Sequence, residues 1–189
     1  MKVGVLALQG AFAKHAQALT RCGTQVREVR LPEQLADLAA LVLPGGESTT
    51  IGQLMAAYGF LPALREFARE RPLFGTCAGL ILLARTITAG EPDQPRLGLM
   101  DVVVERNAYG RQVDSFESDL DVPTLGPAPL RGVFIRAPRV SAVHNGVEVL
   151  ASHEGAPVLV RQGRLLGASF HPELTDDLRL HRYFLSLAG

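Results

Sequence analysis

The chain has 189 residues, enough for one domain with a substantial core. Hydrophobic residues make up 47% of it and charged residues 20%, which excludes an intrinsically disordered chain and fits a compact soluble protein. Nineteen basic residues balance nineteen acidic ones, so nothing electrostatic points to nucleic acid or to an anionic membrane surface.

The apolar start, Val3 to Leu8, is interrupted at Gln9 and is too short for the apolar region of an export signal. No later run reaches the roughly 18 apolar residues of a spanning helix. The expected setting is therefore the cytoplasm, where Cys22 and Cys77 are two free thiols rather than a disulfide. Lys2–Leu8 is predicted as a buried strand and Ala11–Arg21 as a helix. Gln25–Val29 follows as a strand, Pro32–Leu38 as a short helix and Leu41–Leu43 as a third strand. Pro44-Gly45-Gly46 breaks the chain sharply. Thr49–Tyr58 and Pro62–Arg71 carry helical apolar spacing, and Leu73-Phe74 is a fourth strand. Apolar strands alternating with helices argue for a parallel sheet covered on both faces.

After about Leu97 the pattern changes. Leu99–Glu105, Arg131–Arg136, Val147–Ser152, Pro157–Arg161 and Arg164–Phe170 are predicted strands, with Gln162-Gly163 as a hairpin turn. Thr175–Leu187 closes the chain as an amphipathic helix. Glu91–Pro95 and Pro123–Pro129 are expected to be exposed loops within one domain, 1–189, rather than linkers. The fold class is α/β, a mostly parallel core with an antiparallel extension.

Gly75-Thr76-Cys77-Ala78-Gly79 lies between the run Leu73-Phe74 and the apolar stretch Leu80–Ala84. Glycines on both sides of the cysteine relieve the collisions of a tight strand-to-helix turn, as in the hydrolase nucleophile elbow. Such a turn leaves the thiol at a helix N-terminus, where unpaired N–H groups favour an anion. The alternative for Cys77 is a small core residue. Near the other end of the chain, His171-Pro172-Glu173 follows Ala168–Phe170. Residues two apart at a strand end share a side, and Pro172 stops the ladder there. A carboxylate so placed orients an imidazole as acid and base. The alternative is a surface turn before the last helix. The Gly pair of Pro44-Gly45-Gly46-Glu47-Ser48 allows backbone N–H groups to approach a ligand closely, either an oxyanion or a phosphate. No Gly-Lys-Ser/Thr or G-x-G-x-x-G motif supports a nucleotide. Arg106 and Arg136 end apolar strands and suit a substrate carboxylate, or else an ordinary surface ion pair. His15, His144, His153 and His181 are expected to be solvated or locally bonded, Cys22 to be packing, and no Cys/His spacing suits zinc.

These segments in this order resemble the class I, triad-type glutamine amidotransferases. Within that class the chain is similar to the glutaminase subunits of pyridoxal 5′-phosphate synthase. The elbow and His171-Pro172-Glu173 carry the class; Arg106-Asn107 with Tyr109–Glu117, and Phe134-Ile135-Arg136-Ala137-Pro138, carry the narrower likeness. Leu8-Gln9-Gly10 and Leu43–Thr50 agree with both. The resemblance implies a flavodoxin-like three-layer sandwich. It implies Cys77 as nucleophile, with His171 and Glu173 completing a triad. Gly46, Glu47, Ser48, Arg106, Ile135 and Arg136 would contact L-glutamine, and the N–H groups of Gly46 and Ala78 would form the oxyanion hole. It also implies no cofactor or metal, and a (β/α)8-barrel synthase partner that receives the ammonia and makes pyridoxal phosphate. Activity would be low in isolation and rise on docking near Gln9-Gly10. The loop Thr88–Arg96 receives no role.

Three rivals remain on sequence. One is an amidotransferase subunit for histidine, guanine or anthranilate synthesis. Another is a cysteine peptidase or stress-protein hydrolase on a similar scaffold. The third is a non-catalytic binding module, against which an intact Cys77, His171 and Glu173 argue.

Overall fold

Apolar strands of four or five residues, each followed by a helical segment, set the architecture of the first half of the chain. The structure is a computed structural model that describes residues 1–91, 93–106 and 115–189. In chain order its elements are β1 (Lys2–Leu6), α1 (Phe12–Arg21), β2 (Gln25–Val29), β3 (Ala40–Leu43), α2 (Ser48–Ala57), α3 (Phe60–Phe67), β4 (Leu73–Thr76), α4 (Ala78–Leu83), β5 (Ala84–Thr88) and β6 (Met100–Glu105). They continue with β7 (Ser115–Leu120), β8 (Leu130–Ile135), β9 (Arg139–Val143), β10 (Glu148–His153), β11 (Ala156–Gln162), β12 (Leu165–Ala168) and α5 (Arg179–Ser186).

The main sheet has seven strands in the order β10-β11-β12-β4-β3-β1-β2. β2, β1, β3, β4 and β12 are parallel, and β11 and β10 continue the sheet antiparallel. Alternation along each strand sends side chains to two separate cores. Leu6, Leu41, Leu43 and Leu73 pack under α2, α3 and α4, whereas Val3, Val5, Val42 and Phe74 pack under α1 and α5. The result is the expected three-layer α/β sandwich. No helix among the described residues is long and apolar enough to cross a membrane.

The later strands are distributed more widely than the expected single extension. β10 and β11 join the main sheet, β5, β6 and β9 form a three-stranded sheet, and β7 and β8 form a two-stranded ribbon. β5, β7 and β9 were not predicted: each mixes polar residues into the strand, so no apolar run marks it. The segment predicted as Arg164–Phe170 becomes β12, which lies parallel beside β4. The predicted helix at Pro32–Leu38 is a single 3-10 turn, Pro32–Leu35. The last helix begins at Arg179 rather than Thr175. Thr175 Oγ1 and Asp177 Oδ1 accept backbone N–H groups two residues ahead, a local turn that competes with helix.

This topology creates a site. From β1 the chain passes outward to β2, then returns to β3 on the opposite side of β1. At such a switch point, loops leave the carboxyl ends of adjacent strands in opposite directions and open a crevice. Gln9-Gly10 follows β1, Gly45-Gly46 follows β3, Cys77 follows β4 and His171 follows β12. Four neighbouring strands therefore aim their loops at one edge.

Candidate active site

Cys77 stands between β4 and α4 with φ 48° and ψ −104°, a conformation costly for any residue with a side chain. Its N–H donates to the Ala168 carbonyl at 2.8 Å, which ties the elbow to β12. The two flanking glycines permit the turn sterically. A Cβ on Gly75 would come within 2.5 Å of the Gly79 backbone, and one on Gly79 would run into the Leu43 carbonyl oxygen.

His171 and Glu173 follow β12. The His171 N–H donates to the Val133 carbonyl at 2.8 Å, and Nδ1 lies 2.7 Å from Glu173 Oε1. The Cys77 thiol stands beside the ring and raises its pKa, and its Sγ donates to the Ile135 carbonyl at 3.9 Å. Sulfur and carboxylate thus both neighbour one imidazole. Burial opposes a charge on His171, but the hydrogen bonds and negative charge of Cys77 and Glu173 outweigh it and push its pKa to about 10. Burial likewise works against the Glu173 carboxylate. The imidazoles of His15 and His171 facing it nevertheless hold its pKa below the ordinary value. Gly45 packs against the pair: a Cβ there would sit 2.5 Å from His171 Cε1 and 3.4 Å from Cys77 Cβ.

A cavity of about 420 Å³ opens over the sulfur, lined by Gly10, Ala11, Gly45, Gly46, Glu47, Ser48, Cys77, Ile81, Arg106, Ile135, Arg136, His171, Glu173 and Leu174. Every predicted site residue except Ala78 lines it; Ala78 is buried at the start of α4. The Gly45 carbonyl accepts the Ala11 N–H at 3.0 Å, which fixes the Gly45–Gly46 peptide plane and turns the Gly46 N–H to the opposite side. The Glu47 N–H donates to Gln9 Oε1 at 2.9 Å. Ser48 is buried, and its hydroxyl finds no hydrogen-bond partner among the described residues, so a polar ligand in the cavity would satisfy it. Arg136 reaches Glu47 across the mouth at 3.4 Å. Of the discriminating segment Arg106–Glu117, residues 107–114 lie outside the described residues.

Two expectations are corrected. His15 and His181, predicted to be solvated or locally bonded, are fully buried. His15 sits directly behind Glu173, with Nε2 3.3 Å from Oε2. A signal existed: His15 shares the spacing of Ala18 and Leu19 on the buried face of α1, and His181 that of Leu180, Phe184 and Leu185 on α5. His144 is exposed, as expected, whereas the half-buried His153 lies 3.2 Å from Ser118 Oγ, a partner remote in the chain rather than a local one. The second correction concerns Glu91–Pro95, predicted as an exposed loop. Gln94 is buried, and its Oε1 accepts Arg106 Nη1 at 2.9 Å, beside a second bond of 2.9 Å from Nη1 to Thr49 Oγ1. A loop with no role assignable from sequence thus holds the cavity's arginine. Both cysteines are free.

A cysteine elbow answered by an imidazole and a carboxylate, at the carboxyl edge of this particular sheet, is the arrangement of class I glutamine amidotransferases. The model of the SNO glutamine amidotransferase family matches residues 5–188, and the chain belongs to that family. It is 61% identical over 186 residues to the pyridoxal 5′-phosphate synthase subunit PdxT of Desulforudis audaxviator, covering 98% of this chain and 97% of that one. It is 60% identical over 186 residues to the PdxT subunit of Pelotomaculum thermopropionicum, covering 98% and 94%. A crystal structure of a glutamine amidotransferase superposes with a TM-score of 0.94 at 58% identity, covering 99% of this chain and 98% of that one. The structure of PurLQS from Thermotoga maritima shares the fold at 17% identity, with a TM-score of 0.76 and coverage of 100% and 99%. Family membership sets aside the cysteine peptidase, the stress-protein hydrolase and the non-catalytic module.

Proposed function

We propose that this chain is the glutaminase subunit of a pyridoxal 5′-phosphate synthase. It hydrolyses L-glutamine to L-glutamate and ammonia and passes the ammonia to a (β/α)8-barrel synthase subunit. The observation that carries this is one cavity whose wall holds Cys77, His171 and Glu173 together with all six expected glutamine contacts. The naming of its relatives as a synthase subunit supports this partner over the histidine, guanine and anthranilate pathways.

The chemistry follows from the geometry. Cys77 attacks the side-chain carbonyl carbon of glutamine as thiolate, and the carbonyl oxygen becomes an oxyanion. The N–H groups of Gly46 and Ala78 stabilise that charge, each worth about 3 kcal/mol in comparable sites. The C–N bond then breaks, and the nitrogen takes the proton of the His171 imidazolium as ammonia leaves. His171, now neutral, draws a proton from water. The water oxygen attacks the glutamyl thioester, and glutamate and the Cys77 thiolate are released. Glu173 keeps its charge throughout and holds the imidazole by Nδ1, so that Nε2 faces the reacting atoms. Ser48 and the backbone of Gly46, Glu47 and Ile135 hold the amino-acid end, while Arg106 and Arg136 meet its carboxylate. Ammonia in bulk water is protonated and lost to synthesis, so transfer into a docked partner is the productive route.

In this reading the chain works as one domain, 1–189, in the cytoplasm, with no cofactor, nucleic acid or membrane. The test is ammonia release from glutamine by the chain combined with its synthase subunit. Cys77→Ala should abolish release, and a glutamine-analogue electrophile should leave a single adduct on Cys77 by mass spectrometry. A Cys77→Ala protein that still releases ammonia would refute the mechanism.

A further inference from the structure

Behind Cys77, His171 and Glu173 the buried polar groups continue. Glu173 uses Oε1 for His171; its Oε2 makes no conventional hydrogen bond among the described residues. His15 Nε2 stands 3.3 Å from that oxygen and 3.0 Å from Thr76 Oγ1. His15 Nδ1 in turn lies 3.2 Å from His181 Nε2. Both rings are fully buried, packed edge-on to Phe74. Four elements meet here: α1 brings His15, β4 brings Thr76, α5 brings His181, and the turn after β12 brings Glu173.

One assignment of protons satisfies this cluster. A bare Nε2 lone pair 3.3 Å from a carboxylate would be repelled, so His15 carries its proton on Nε2, bonded to Thr76 Oγ1 beside Glu173 Oε2. Its Nδ1 is then a bare acceptor and takes the Nε2–H of His181. His181 Nδ1 is left bare, and it is the one ring nitrogen of the cluster with no partner among the described residues. The reverse assignment would turn a lone pair of His15 toward the carboxylate and bury an orphan N–H on His181, the costlier defect. Two buried imidazoles are an expensive filling for a core that leucine would occupy more cheaply, which directs attention to what they face.

We propose that His15, with its tautomer fixed by His181, is a positioning residue of the glutaminase site. Its Nε2–H, bonded to Thr76 Oγ1, stands 3.3 Å from the rear oxygen of Glu173, and this dipole holds the carboxylate plane with Oε1 on His171 Nδ1. The proposal rests on the reading of Cys77, His171 and Glu173 as the glutamine-hydrolysing triad. Both histidines stay neutral here, since burial lowers the pKa of each. His15 therefore adds an oriented dipole beside Glu173 without competing for the negative charge that His171 needs. A carboxylate free to rotate about its terminal bond would lose the Nδ1 contact for part of the time, and the imidazole would turn with it.

The test compares His15→Phe and His15→Gln in the complex with the synthase subunit, by glutaminase kinetics and thermal melting. Phe keeps the ring and removes the donor; Gln places an amide N–H near the position of Nε2. His15→Phe should lower kcat by about tenfold to a hundredfold with KM within about twofold, the scale on which outer hydrogen-bond partners of functional side chains act. His15→Gln should recover most of that loss. Should His15→Phe fail to fold, His181→Phe decides: it leaves the His15 tautomer unfixed and should lower kcat several-fold at constant KM. A folded His15→Phe with full kcat overturns the proposal, as does an equal fall in the Phe and Gln variants that tracks their melting temperatures. Full kcat in His181→Phe overturns it where His15→Phe does not fold. If Cys77→Ala retains activity the triad reading itself fails. If Cys77→Ala is inactive but the histidine variants match wild type, only the role of His15 fails.

Discussion

Gly45 lies against the edge of the His171 ring so closely that a single added carbon would come within 2.5 Å of Cε1. The loop after β3 and the turn after β12 are therefore fitted to each other through one missing side chain. Gly45→Ala should displace the imidazole, because the two atoms nearest the added carbon both belong to the His171 ring. Glutaminase kcat/KM should fall about a hundredfold, the scale of a 1 Å misplacement, with little change in melting temperature. Unchanged kinetics would mean that the ring tolerates the shift.

Glu173 and Cys77 together hold His171 in its protonated form. The raised pKa contributes stability that is complete below about pH 6.5 and disappears as pH rises through about 10. Glu173→Gln removes the carboxylate's charge while leaving an amide oxygen as acceptor, so the folded pKa of His171 should drop from about 10 toward 6.5. A proton NMR titration of the ring reads this directly. In the same variant kcat should fall about a hundredfold or more, since the imidazole loses the negative charge that stabilises imidazolium and the amide no longer fixes its tautomer. A midpoint still near 10 would show that the sulfur alone sets the value.

Burial keeps His181 neutral, with its pKa pushed down to about 3. Unfolded chains bind a proton at histidine below about pH 6.5, so acid favours unfolding and this contribution to stability is lost as pH falls from 6.5 toward 3. Between pH 7.5 and 5, His181 should cost about 2 kcal/mol. His181→Phe should lose less stability than wild type over that interval, measured as the shift in urea midpoints. Equal losses in the two proteins would contradict the assignment.

Gln94 and Thr49 share the Arg106 guanidinium. Gln94→Ala removes one of these two acceptors and should weaken the aim of Arg106 into the cavity. A lost hydrogen bond of about 1 kcal/mol corresponds to roughly a fivefold rise in KM for glutamine, with kcat nearly unchanged. A fall in kcat at constant KM would instead place Arg106 in the chemical step.

The parallel core strands, the elbow and His171-Pro172-Glu173 were legible in the chain because each is local. Apolar runs announce buried parallel strands and glycines mark the turn whose geometry excludes a Cβ, whereas His171 and Glu173 meet through the 3-10 turn Pro172–Leu174 rather than by the strand alternation expected of them. β5, β7 and β9 were not legible, because strands rich in polar residues carry no apolar run that separates them from loops. The cluster of His15, Thr76 and His181 was hidden for a different reason. Thr76 and His181 lie 61 and 166 positions from His15, and local spacing shows only that each histidine is on a buried face.

Local chemistry in the chain settles which residues can react: a thiol on a strained turn, an imidazole with a carboxylate two places on, and the strands that carry them. Their alignment, and what stands behind them, comes from the folded arrangement alone. Distance between side chains is set by how β1, β3, β4 and β12 lie side by side, and by the packing of α1 and α5 on the far face of the sheet. Those contacts join residues remote in the chain, and no local preference encodes them.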